Sequence, residues 1–261
     1  MHRIILTKEV KQHHPDFYSI EAGIADNIQH FDHHREEHKV YPSPCNNIAI
    51  KPIKDDGNIK YIQISHIDSD TLIGIARLLG VNHFLREPLD FNTMEYIDLN
   101  GSKGIIKDNY TYQFMVGVGV LARKLNFPRI TDEPTDVTDI VQQMLDTSIF
   151  SFTQYGKCSI DKAEADYKEC RYSQQGNMGL WVVDATHDFN PSRPYEDGIQ
   201  VVVVYRSHYK TISIYCDPDS SYEFAGQTIA GIEFNGHAKA CGSPRGMEMT
   251  LENAIEVYSI L

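Results

Sequence analysis

Twelve histidines and 36 acidic residues are too many to interpret one at a time, but two clusters of imidazole and carboxylate groups stand out. The first is Phe31-Asp32-His33-His34, followed directly by Arg35-Glu36-Glu37-His38. The second is Ser65-His66-Ile67-Asp68-Ser69-Asp70, which follows an apolar run and opens a helical pattern. In an extended chain side chains alternate, so His66, Asp68 and Asp70 would share one side and could converge on a cation. Acids and histidines at strand ends are also ordinary turn residues, and Asp70 could serve merely as a helix N-cap. The clustering favours ligation, because acids packed beside histidines are costly unless a cation or hydrogen bonds compensate.

These residues need a scaffold, and the first half of the chain alternates short β-rich runs with helical patterns, which predicts a mostly parallel sheet covered by helices. Candidate strands are Ile4 to Leu6, Phe17 to Ile20, Ile48 to Ile50 and Tyr61 to Ile64. Leu72, Ile75, Ala76 and Leu79 recur at helical spacing, with Gly80 as a stop, so a strand-turn-helix unit is centred on His66 to Asp70. Tyr112 to Leu125 reads as a second helix. The stretch from Phe127 to Asp139, with Pro128 and Pro134, reads as a connection into a helix from about Val137. From about residue 150 the character changes. Leu180 to Ala185, Ile199 to Tyr205 and Thr211 to Tyr215 are β-rich runs that predict a separate sheet, with Trp181 in its core. Thr250, Leu251, Ala254, Ile255 and Tyr258 predict a capped closing helix. The fold class expected is α/β: a parallel-sheet domain over residues 1–145, then a smaller α/β domain with its own sheet over 146–261.

Composition bounds the function. The chain has 261 residues, 41% of them hydrophobic and 23% charged, and a formal net charge of −12. Long nucleic acid is held by basic faces that neutralise several phosphates at once, so that charge excludes it and leaves a small phosphorylated substrate. Bound divalent cations would reverse the local sign. No apolar tract suits a membrane span, and the opening apolar run is too short for a secretory signal, so a cytoplasmic protein is expected. Five cysteines, odd in number and without a C-x-x-C pair, indicate neither a disulfide framework nor a cysteine-ligated zinc site.

The run Phe31-Asp32-His33-His34 resembles the signature of the DHH phosphoesterase superfamily, and Ile64-Ser65-His66-Ile67-Asp68-Ser69-Asp70 resembles its H-x-D-x-D motif at a strand end. Tyr18-Ser19-Ile20-Glu21-Ala22-Gly23 is similar to the strand preceding the signature, and Ile97-Asp98-Leu99-Asn100-Gly101 to the last metal-binding motif. Asn235-Gly236-His237-Ala238-Lys239-Ala240-Cys241-Gly242 is similar to the glycine-rich segment of the DHH-associated substrate-binding domain. Two departures accompany these five likenesses. The H-x-D-x-D segment follows the D-H-H segment here instead of preceding it, which implies a permuted first domain, and Glu21 stands where aspartate is usual, with Asp26 as the alternative.

The resemblance implies that His66, Asp68, Asp70, Glu21, His33 and Asp98 hold two divalent cations. Mixed imidazole and carboxylate ligation suits Mn²⁺ best, with Mg²⁺, Co²⁺ or Zn²⁺ as substitutes. Such a pair generates hydroxide near neutral pH and clamps the attacking and leaving oxygens of a phosphate ester. By the same resemblance His34 stabilises or protonates the substrate phosphate and Asp32 orients a ligand imidazole. Gly236, His237 and Arg245 would bind substrate, Gly236 by letting backbone approach the ligand and Arg245 as a bidentate phosphate partner; an ordinary tight turn is the structural alternative. The activity implied is phosphodiester or phosphomonoester hydrolysis of a small nucleotide, cyclic dinucleotide or very short oligonucleotide. The alternatives are an inorganic pyrophosphatase or polyphosphatase, and a catalytically silent nucleotide sensor of the same fold. A homo-oligomer is compatible with every one of these readings.

Overall fold

The computed structural model describes residues 1–33, 40–86, 88–244 and 246–261, the side chain of Arg86 excepted. The chain divides into two compact units. The first comprises Met1–Glu95 and Asp108–Lys157, the second Tyr96–Lys107 and Cys158–Leu261. Both are mixed α/β, each with a sheet of its own flanked by helices.

The sheet of the first unit is built from β1 (His2–Leu6), β2 (Phe17–Ile20), β3 (His30–Phe31), β4 (Lys60–Ile64) and β5 (Thr135–Asp136), in the order β3-β2-β4-β1-β5. All neighbours are parallel except β5, which runs antiparallel to β1. Its helices are α1 (Ser69–Leu79), α2 (His83–Arg86), the start of α3 (Phe91–Asn100), α4 (Tyr110–Lys124), α5 (Thr138–Leu145) and the first half of α6 (Ile149–Asp166). Strand residues Ile4, Leu6, Ile20, Ile62 and Ile64 pack with Leu72, Ile75 and Ala76 of α1, which are fully buried at the predicted spacing. Asp68 caps the start of α1 by accepting from Thr71 N, and Gly80 ends it in a left-handed conformation.

Two expectations about local structure are corrected here. Ile48 to Ile50 is a turn and not a strand: the Asn47 side chain accepts from Ala49 N, Ile50 N donates to Asn47 O, and Ile48 is 78% exposed. An asparagine side chain that hydrogen-bonds the backbone two residues on offers the chain an alternative to a ladder. The extended alternation proposed for His66, Asp68 and Asp70 stops at Asp68, because the chain turns helical at Ser69 and sends Asp70 in another direction.

The sheet of the second unit has the order β12-β13-β9-β8-β7-β6, from β6 (Arg171–Gln175), β7 (Met178–Val183), β8 (Val201–Arg206), β9 (Thr211–Cys216), β12 (Asn235–His237) and β13 (Ala240–Gly242). A separate small pair joins β10 (Thr228–Ile229) to β11 (Ile232–Glu233). Only β7 and β8 are parallel. One face packs Leu180, Val201, Val203, Ile212 and Ile214 against Ala254 and Val257 of α7 (Leu251–Ile260). The other packs Trp181, Val202 and Val204 against Tyr167 and Tyr195. Burial on both faces explains why β8 reads as four consecutive valines. Thr250 caps α7 and forms a capping box with Asn253, as its position predicts.

Candidate metal centre

Strands β3, β2 and β4 are adjacent and parallel, so their carboxyl ends lie along one edge of the sheet, where open α/β sheets bind ligands. Glu21 follows β2 directly, Asp32 and His33 follow β3, and Ser65 to Asp70 lead from β4 into α1. The ladder continues past the strand end, with Glu21 N donating to Phe31 O at 2.9 Å. Glu21 then takes φ 52°, a left-handed conformation that costs a non-glycine residue on the order of 1 kcal/mol or more. It turns the chain at the site itself.

This edge gathers Glu21, His33 and Asp70. Their exposures are 2%, 4% and 2%, and His33 Nε2 lies 4.0 Å from Glu21 Oε1 and 4.0 Å from Asp70 Oδ2. One ligand atom from each lies within 4.8 Å of the other two. Bonds of ~2.0–2.2 Å to a common ion place donor pairs ~3–4.4 Å apart, so the set fits one cation after small adjustment. Two carboxylates and one imidazole are also the donor types that Mn²⁺ accepts. Burying two like charges this close is unfavourable without positive charge, which a divalent ion would supply.

The surroundings orient these groups. Asp70 Oδ1 accepts from Cys45 N, and Arg77 holds the same segment by donating to Cys45 O at 2.7 Å. Burial lowers the Arg77 pKa, while the charge of Asp70 opposes that shift. Asp32 is buried and accepts from Gly23 N at 2.6 Å, bracing the turn after Glu21. His66 and Asp68 meet each other, Nε2 to Oδ2 at 2.8 Å, while Asp68 Oδ1 stays on Thr71 N. Ser65 Oγ joins this pair to the first group, donating to the carbonyl of Glu21 and contacting His66 Nδ1 at 2.9 Å. Asp26, the alternative to Glu21, spends one carboxylate oxygen on the backbone N–H groups of Ile28, Gln29 and His30 and shapes the turn before β3. Burial raises its pKa, but the three donors outweigh that and leave it lowered.

Asp98 and His237 belong to the second unit, where they pair with each other, Oδ2 to Nε2 at 3.2 Å. Gly236 has φ 142°, and a Cβ there would meet Ala240 O at 2.6 Å. Its lack of a side chain is therefore required by the β12–β13 hairpin itself, a reason different from ligand approach. His34 and Arg245 lie outside the described residues. Sequence reasoning missed the backbone of Cys45 as the partner of Asp70, since a main-chain donor leaves no mark on residue type.

Among the described residues, no helix is long and apolar enough to cross a membrane. No family model matches the chain, and no curated protein matches it. Among solved structures it is similar to PggH, a pGpG-specific phosphodiesterase from Vibrio cholerae, at TM-score 0.38 and 13% identity over 79% of each chain. It is also similar to an uncharacterized protein from Helicobacter pylori G27, at TM-score 0.29 and 10% identity, covering 79% of this chain and 76% of that one.

Proposed function

We propose that the protein is a metal-dependent phosphoesterase of DHH type that hydrolyses a small nucleotide, cyclic dinucleotide or very short oligonucleotide. The observation that supports this most directly is the buried grouping of Glu21, His33 and Asp70 at the carboxyl edge of three adjacent parallel strands. These three residues would hold a divalent cation, Mn²⁺ first, and a second ion would draw on Asp68 and His66. A bound pair supplies a hydroxide near neutral pH and charge stabilisation for the leaving oxygen. The chain's own part is to hold its donors in place: Cys45 N and Arg77 set Asp70, and Gly23 N sets Asp32. Low exposure at the three carboxylate and imidazole groups keeps bulk water from competing for them. His34 remains the candidate proton donor by resemblance alone.

The test is product release from dinucleotides including pGpG, cyclic dinucleotides, bisphosphorylated adenosine and pyrophosphate, with Mn²⁺, for wild type, Asp70→Asn and Asp68→Ala. Turnover of a nucleotide ester by wild type that both substitutions abolish supports the reading. Release from pyrophosphate alone moves the substrate class to the pyrophosphatase alternative. Tight nucleotide binding without turnover replaces catalysis with sensing, and neither binding nor turnover overturns the proposal.

A further inference from the structure

Asp70 is held by a segment that belongs to no strand or helix. Ser43, Cys45 and Asn47 are buried in a turn, with Asn46 N donating to Ser43 O at 2.9 Å, and this turn delivers Cys45 N to Asp70 Oδ1. A buried loop keeps one geometry only when its polar groups are bonded from outside, since neither a ladder nor a helix fixes them. Arg77 supplies one such bond, to Cys45 O. The others come from α3. Asp90 accepts from Asn92 N and Thr93 N at the start of this helix, and positions 91, 92 and 95 fall on one side of it. That side meets the turn. Phe91 O accepts from the Cys45 thiol at 3.9 Å, and Asn92 Oδ1 accepts from Asn46 Nδ2 at 3.0 Å. Glu95 takes Ser43 N on Oε1 at 3.0 Å and Asn46 Nδ2 on Oε2 at 2.9 Å. On the opposite side α1 presses close, because a Cβ at Gly74 would meet Pro44 Cβ at 3.0 Å. Glu95 thus brackets Cys45, holding the residue two before it and the residue after it. It is also the last residue of α3 that belongs to the first unit.

We propose that Glu95 is a positioning residue of the metal centre: through the turn at residues 43–46 it aims Cys45 N at Asp70 Oδ1 and leaves Asp70 Oδ2 turned to His33. Glu95 acts through the turn and not as a ligand, with both of its carboxylate oxygens engaged there. Removing the carboxylate releases Ser43 N and the Asn46 amide together, so the turn loosens and Asp70 loses the donor that fixes its orientation. Groups that orient a metal ligand contribute about 10–100-fold in metal affinity or activity. Glu95 stands one residue further out than Cys45, which places its effect at the low end of that range. The inference rests on the phosphoesterase reading for its catalytic consequence, but the hydrogen bonds it depends on exist in the metal-free protein.

The experiment follows the Cys45 amide and Mn²⁺ binding separately. Selective ¹⁵N labelling of cysteine in the full chain gives five amide signals, and the one missing from a Cys45→Ala sample belongs to Cys45. An N–H held by a carboxylate resonates downfield, because a charge-assisted bond is short and strong. In EDTA, Glu95→Ala should therefore move this signal upfield, as Asp70→Ala does. Glu95→Gln, whose amide oxygen still accepts from Ser43 N, should keep it near the wild-type position. Calorimetric titration should show Mn²⁺ binding about tenfold weaker in Glu95→Ala. Glu95→Gln should restore most of the affinity, and Tyr96→Ala, an exposed neighbour on the same helix, should bind as wild type does. In turnover at limiting Mn²⁺ the loss should fall on kcat with KM for the nucleotide unchanged, and excess Mn²⁺ should recover it. Thermal unfolding in EDTA controls for folding; if Glu95→Ala does not fold, Asn46→Ala, which removes one of the two bonds, should show the same changes at smaller amplitude. An unmoved Cys45 signal, or wild-type Mn²⁺ affinity in a folded variant, overturns the proposal. If wild type neither binds Mn²⁺ nor turns over any ester, the phosphoesterase reading falls and the role of Glu95 is decided by the Cys45 signal alone.

Discussion

His33 Nε2 lies 4.0 Å from Glu21 Oε1, and the two residues stand just beyond the paired ends of parallel strands β3 and β2. Asp70 approaches the same imidazole nitrogen from the start of α1, also at 4.0 Å. Two carboxylates on one imidazole have opposite consequences for stability with and without a cation, and that contrast is measurable.

Saturation with Mn²⁺ should stabilise the folded protein by RT ln(1 + [L]/Kd), about 2.7 kcal/mol at ~100 Kd, which raises Tm by several degrees. Asp70→Asn should abolish that rise. In EDTA the same substitution should leave Tm unchanged or higher, because it removes one of two adjacent negative charges and the new amide oxygen still accepts from Cys45 N. Differential scanning fluorimetry in EDTA and in Mn²⁺ reads both signs, and equal Mn²⁺ shifts in wild type and variant would remove Asp70 from the site.

Helices α4 and α6 touch through glycines. A Cβ at Gly117 would fall 1.9 Å from Phe152 O, and one at Gly156 would fall 1.8 Å from Gln113 O. Backbone cannot yield as a side-chain tip does, so Gly156→Ala should destabilise by about 2 kcal/mol or more, the usual cost of overpacking. Gly119 lies on α4 with open space around it. Gly119→Ala should stabilise by about 0.5–1 kcal/mol through helix propensity. Urea unfolding of the two variants should therefore move the midpoint in opposite directions.

Thiol titration should find one fast cysteine. Cys158 is exposed and the other four are buried. Burial pushes the Cys170 thiol up to about 11 and those of Cys216 and Cys241 up to about 12. Thiolate is the reactive form, so at pH 8 these groups react slowly even when reagent reaches them. A chromogenic disulfide reagent should consume one equivalent rapidly from native protein and five after denaturation. A second fast equivalent would contradict the burial of one of these four thiols.

Asp26 supplies a test in pH. Its folded pKa lies below the ordinary carboxylate value of 3.8, since three backbone donors outweigh the effect of burial. A depressed pKa contributes stability that is present above 3.8 and is lost as pH falls through the folded value. Asp26→Ala should thus be less stable than wild type at neutral pH, on the order of 1 kcal/mol for an exposed group, and the two should converge in acid. A constant difference from pH 7 to pH 2 would show that the carboxylate charge is not what braces the turn before β3.

Sequence alone determined much of the architecture, because periodicity reports burial directly. The spacing of Leu72, Ile75 and Ala76 required α1, the β-rich run from Ile199 to Tyr205 required a strand, and Thr250 required the start of α7. Strands of two or three residues such as β3, β5, β12 and β13 carry too few positions to show a period, and Ile48 to Ile50 has strand composition but turn chemistry from Asn47. For the site, clustering of imidazole and carboxylate groups singled out His33 and Asp70 with their neighbours, and the family resemblance alone added Glu21. Only the tertiary structure decided which of them meet. Parallel pairing of β2, β3 and β4 brings three distant strand ends together, and the turn into α1 at Ser69 separates Asp70 from Asp68 although they are two residues apart. The physical reason is that ligand convergence depends on strand order and on where an extended chain becomes helical, both set by cooperative packing of the whole unit and neither encoded in any local run of residues.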